Sequence, residues 1–110
     1  MKYLLMIWSE PDMSRALPDH EPLSEVIGAG ELVAAEALAD PLTARCVRVR
    51  DGEALVTDGP FVASGEWLAG YVIVDCATPE RAEQIAGRLP DARSAAVEVR
   101  PLMIRTAEDL

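Results

Sequence analysis

Basic residues are scarce in this chain: ten lysines and arginines stand against nineteen aspartates and glutamates, a formal net charge of −9 over 110 residues. Proteins that hold nucleic acid or anionic membranes present a basic face to phosphate, and none is visible here, so neither partner is expected. Histidine occurs once and cysteine twice. Without a Cys-x-x-Cys pair, one histidine builds no zinc shell unless carboxylates are recruited, and no metal site is expected. Long apolar runs are missing as well, since nothing approaches the roughly 20 residues that span a bilayer. The opening Met1-Lys2-Tyr3-Leu4-Leu5-Met6-Ile7-Trp8-Ser9-Glu10 has too short an apolar stretch for a signal peptide, and no small-residue cleavage site follows it. A cytoplasmic protein is expected, with Cys46 and Cys76 as reduced core thiols. No dinucleotide fingerprint, phosphate loop or nucleophile elbow occurs, and no cofactor is expected.

What is present is one globular domain. Half of the residues are hydrophobic, enough for a single core at this length. Residues 2–8 form a first predicted strand, and a Pro-containing loop follows from Ser9 to Pro18. Pro22 suits a first helical turn, and Leu23, Val26 and Ile27 fall at i, i+3 and i+4, so a short helix is predicted over 21–29, stopped by Gly28 and Gly30. Residues 32–38 predict a second strand. Residues 45–50 alternate cleanly, with Val47 and Val49 on one face and Cys46, Arg48 and Arg50 on the other. Asp51-Gly52 is a hairpin turn signal, and 53–57 return as its partner strand. Residues 68–76 form a strand rich in β-branched and aromatic residues. Thr78-Pro79-Glu80 starts a helix that ends at Pro90, and 96–103 form the last strand. The order predicts an α+β fold: a ferredoxin-like split βαβ with an inserted hairpin, a mainly antiparallel sheet and two helices on one face.

Those strands carry a further implication. An antiparallel sheet covered on one side alternates apolar and polar residues. The first strand instead shows Tyr3, Leu5 and Ile7 to one face and Leu4, Met6 and Trp8 to the other. Residues 68–76 do the same, with Val72 and Val74 opposed to Tyr71 and Ile73. Two helices cover one face only, and the second apolar face predicts an interface or ligand site. A homodimer closed sheet to sheet as a dimeric α/β barrel is expected.

The stretch Thr57-Asp58-Gly59-Pro60-Phe61, followed by Glu66-Trp67-Leu68-Ala69-Gly70-Tyr71, resembles the DGPF branch of the YCII-related proteins. So do the opening Lys2-Tyr3-Leu4-Leu5 and the ending Glu98-Val99-Arg100-Pro101. The resemblance covers nearly the whole chain in order, and it implies a ferredoxin-like dimeric α/β barrel. It further implies kinship with lyases of the dehydrochlorinase kind that act on small muconate-type acids, in which a histidine before the first helix is implicated. His20 stands at a similar spacing before Gly30-Glu31-Leu32. One departure is that Ala63-Ser64-Gly65 replaces a Thr-Lys pair common in the branch.

Asp58 is the first catalytic candidate, because a carboxylate at a Gly-Pro break can sit at a pocket rim as general acid or base. The alternative is turn chemistry, since Asp bonds nearby backbone N–H groups. A histidine can shuttle protons near neutral pH, so His20 is the second candidate, with a solvated loop histidine as the alternative. Glu36, Glu98 and Arg100 interrupt apolar strands: they line a wet cavity, with Arg100 or Arg48 receiving a substrate carboxylate, or form an ion pair at the sheet edge. Trp8 and Tyr71 floor the pocket or pack a dimer, and Phe61 reads as core before substrate platform. Glu66 bonds backbone after the turn or faces solvent. The sum points to a small-molecule ligand and a cofactor-free lyase or isomerase acting by proton transfer on a small organic acid. The alternatives are a non-catalytic small-molecule-binding or regulatory interaction module and, on fold analogy alone, a cofactor-free oxygenase.

Overall fold

A computed structural model describes residues 1–9, 23–61 and 65–103. His20, the Ser9–Pro18 loop beyond its first residue and the start of the first predicted helix lie outside them. The elements run β1 (Lys2–Ser9), α1 (Leu23–Val26), β2 (Leu32–Ala37), a 3₁₀ turn (Pro41–Thr43), β3 (Arg45–Arg50), β4 (Glu53–Asp58), β5 (Trp67–Asp75), α2 (Pro79–Gly87), α3 (Asp91–Ser94) and β6 (Ala96–Pro101). Four strands form one sheet in the order β2-β5-β1-β6, with every neighbouring pair antiparallel. Strands β3 and β4 form a separate two-stranded sheet. This is the split βαβ order, with β1 at the centre and the hairpin inserted between β2 and β5.

Local chemistry sets most boundaries. Thr78 caps α2 by accepting from the Arg81 N–H at 3.2 Å, Pro79 takes a first-turn position where its missing N–H is harmless, and Glu80 lies in the positive first turn. The helix ends sooner than predicted, at Gly87. Pro90, predicted as a stop, instead begins α3, because its fixed φ of −56° suits the start of a helical turn. The C-terminal end of α1 also comes sooner than predicted. The Ile27 N–H closes the last turn on Leu23 O at 2.8 Å, whereas the Gly28 N–H goes to the Glu31 carboxylate at 2.8 Å. At the hairpin tip Asp51 (φ 52°) and Gly52 (φ 78°) both take the left-handed region, which a two-residue type I′ turn demands.

One face of the large sheet meets the helices. Tyr3, Leu5, Val72 and Val74 pack against Val26, Ile27, Ala82, Ile85 and Ala86 in one buried cluster, and Leu5, Val74 and Ile85 are wholly enclosed. Gly70 lets β2 approach: a Cβ there would lie 2.7 Å from the Glu36 carbonyl oxygen. None of the described helices is long and apolar enough to cross a membrane. The radius of gyration is 16.1 Å, above the about 13 Å of a compact domain this long, and the principal extents are 48 × 38 × 17 Å. The molecule is a thin plate with a projecting arm.

Candidate functional site: the open face of the sheet

The helix-free face of the sheet is built by the other alternation of the same strands. Register places Glu36, Tyr71, Met6 and Glu98 in one row across all four strands. Ala34, Ile73, Leu4 and Arg100 form the next row. A bulge in β5 shifts the pairing so that Trp8 stands opposite Leu68 on this face, and such bulges re-aim side chains at sheet ends. Leu4, Met6, Trp8, Leu68, Tyr71 and Ile73 are all half-buried, a continuous apolar floor with no described helix over it.

The side-chain hydrogen bonds described on this floor converge on Glu98. Trp8 Nε1–H donates to Glu98 Oε1 at 3.3 Å, and Arg100 Nη2 donates to Glu98 Oε2 at 2.7 Å. The carboxylate therefore accepts one bond on each oxygen, from an indole and a guanidinium. Arg100 spends a single donor on it, which leaves most of its fork for a second anion. Glu36, across the sheet, is exposed and has no partner among the described residues. Five sequence candidates thus share this face: Trp8, Glu36, Tyr71, Glu98 and Arg100. Of the two readings of Glu98 and Arg100, the ion pair on the edge strand β6 is formed.

Asp58 and Arg48 lie on the arm, and Phe61 just beyond it. Asp58 ends β4 opposite Arg45, with Oδ1 3.7 Å from Arg45 Nε and its side chain 90% exposed. It accepts no backbone N–H among the described residues. The turn after it is held by the Gly59 N–H bonding to Ala44 O at 2.8 Å, with Gly59 at φ 95°. Phe61 is a correction: expected in the core, it is 70% exposed, and the Arg48 guanidinium stacks over its ring at 4.9 Å from the centroid. Phe61 follows β4 of the separate two-stranded sheet by three residues, and stacking shields one side of its ring there. His20 lies outside the described residues, so its distance from Asp58 is not defined. Cys46 is half-buried and Cys76 buried, and neither forms a disulfide.

Sequence reading missed one clamp. Glu31 accepts from Arg81 Nη2 at 2.8 Å, from Arg81 Nε at 3.0 Å and from the Gly28 N–H. The Arg81 hydrogen bonds, followed by the Gly28 N–H, hold the Glu31 carboxyl below the usual carboxylate range. A fork-on-carboxylate pair this remote in sequence has no local signature, and here it locks the α1–β2 corner to α2. Among the described residues no group of three or more His, Cys, Asp or Glu side chains is arranged to hold a metal ion.

Comparison with known proteins agrees with this architecture. The chain matches the YCII-related domain over residues 1–105. It is 32% identical over 100 residues to an uncharacterised protein of Rhizobium meliloti (strain 1021), a match covering 88% of this chain and 81% of that relative. With the domain match spanning nearly every residue and the split βαβ sheet beneath it, the chain belongs to the YCII-related family.

Proposed function

We propose that the protein is a cytoplasmic homodimer that binds a small organic acid on the open face of its sheet. The observation that supports this best is the Trp8–Glu98–Arg100 row set in an apolar floor. A guanidinium with donors to spare, held in place by its own neighbouring carboxylate and bordered by Trp8 and Tyr71, matches an anion attached to a flat or unsaturated body. A second copy packed on the same face would dry the site and strengthen that contact.

The finer reading is a cofactor-free lyase or isomerase that moves a proton on the bound acid, with Asp58 and His20 as the groups that carry it. Calorimetric titration with small unsaturated mono- and dicarboxylic acids tests the binding step: Arg100→Ala is expected to lower affinity at least about tenfold. Equal affinity in Arg100→Ala and wild type would remove the site from this face. Proton NMR of the bound acids in deuterated water tests the chemistry. Deuterium uptake at carbon, lost in Asp58→Asn, supports an enzyme, whereas binding without uptake leaves the non-catalytic binding module.

A further inference from the structure

We infer that the β3–β4 hairpin of one protomer closes over the open sheet face of a second copy, bringing its Asp58 to the partner's site. The inference rests on the dimer proposed above and specifies how its site is completed.

The hairpin is the first ground. Pairing puts Val47 opposite Val56 and Val49 opposite Ala54, so these four share one face, and Arg45 and Asp58 extend that face at its root. Val47, Val49 and Val56 are 64%, 61% and 56% exposed. A lone two-stranded hairpin is marginal in water and needs cover for its apolar side. The arm cannot obtain that cover from its own sheet. Among the described residues its strands pair only with each other. Its root is fixed by the Asp40-capped 3₁₀ turn and by the Gly59–Ala44 backbone bond.

Charge is the second ground. Two copies of a chain at −9 repel, so a stable contact must gather what cations there are. Arg45 stands on the Val47–Val49 face of β3, whereas Arg48 and Arg50 alternate to the other face, so Arg45 is the cation that the arm's apolar side presents. The open face offers Glu36, which has no partner among the described residues. Arg45, held only by a 3.7 Å contact with Asp58, would pair with Glu36 of the second copy, and Asp58 would then face that copy's Arg100.

Size is the third. Six residues per strand at ~3.4 Å and two strands ~4.8 Å apart give the arm a footprint of about 200 Å². Counted on both surfaces and at both symmetric contacts this approaches about 800 Å², and with the sheet floor around it the roughly 1,000 Å² of a specific interface is within reach.

The test is sedimentation equilibrium on full-length wild type, Val49→Asp, Glu36→Arg, Arg45→Glu and an equimolar mixture of the last two. Val49 is exposed in the single chain, so its replacement leaves the fold intact, which circular dichroism checks. The expected result is a wild-type dimer weakened at least about tenfold in each single variant. In the mixture, both contacts of a mixed pair regain opposite charges, and association recovers. A wild-type dimer indifferent to Val49→Asp overturns the inference and leaves the sheet-face dimer standing. Single variants that weaken the dimer with no recovery in the mixture show that Arg45 and Glu36 do not meet across the two copies, which also overturns it. A wild-type monomer removes both the inference and the dimer on which it rests.

Discussion

Asp58 and Glu31 are both carboxylates beside an arginine, and their surroundings give them opposite thermal behaviour. Asp58 makes one exposed 3.7 Å contact and supports no backbone group among the described residues. Exposed pairs of this kind contribute at most about 1 kcal/mol. Asp58→Ala is therefore expected to move Tm by no more than about 4 °C in differential scanning calorimetry. A fall beyond about 6 °C would show that the side chain holds the turn after all. Glu31 is the reverse case. Hydrogen bonds from Arg81 and Gly28 lower its folded pKa, whereas the unfolded carboxyl titrates near about 4.3. Its stabilisation is thus complete above that unfolded value and is lost as pH falls through the folded one. Wild type is expected to lose Tm more steeply than Glu31→Gln on going from about pH 6 to pH 3, and parallel curves would refute the assignment.

At the scale of elements, the hairpin, β5 and the start of α2 were legible because their signals are local. Asp51-Gly52 names its own turn, Thr78-Pro79 names its own cap, and the β-branched run before Cys76 admits little but a strand. The extra helix α3 was not legible, because a proline reads as an ending until backbone geometry shows it opening a new turn. For the site, period-two alternation put Leu4, Met6 and Trp8 on one face. It could not say that Glu98 would reach Trp8, which depends on the order of strands. Nor could it place Phe61, whose neighbour Arg48 lies across a turn. The contact between β2 and β5 gives a sharp prediction. A methyl at position 70 would press on the Glu36 carbonyl oxygen, and backbone cannot step aside as a side chain can. Gly70→Ala is expected to cost about 1–3 kcal/mol, a Tm fall of about 4 °C or more. A change below about 1 °C would mean that β2 yields.

Considered whole, the molecule is a plate 17 Å thin with one face clad in helices and the other bare among the described residues. If a second copy covers that face, stability becomes a function of concentration. Tm is expected to rise by about a few degrees over a hundredfold increase in protein, with Leu4→Asp abolishing the rise while far-UV dichroism at high concentration stays that of a folded chain. A Tm independent of concentration in wild type would count against the dimer. The central position of β1 bears on how such a plate is made. Tyr3 pairs with Val74 on one side and Pro101 on the other, so β1 gains its sheet partners only by closing loops of about 70 and about 100 residues. The arm, whose strands meet across two residues, can close within microseconds of its synthesis. β1 waits with both apolar faces in water, a state in which unpaired strands aggregate. An unpaired β1 is thus the segment through which folding chains are most prone to associate wrongly, and a chaperone that shields it would raise the yield of native protein.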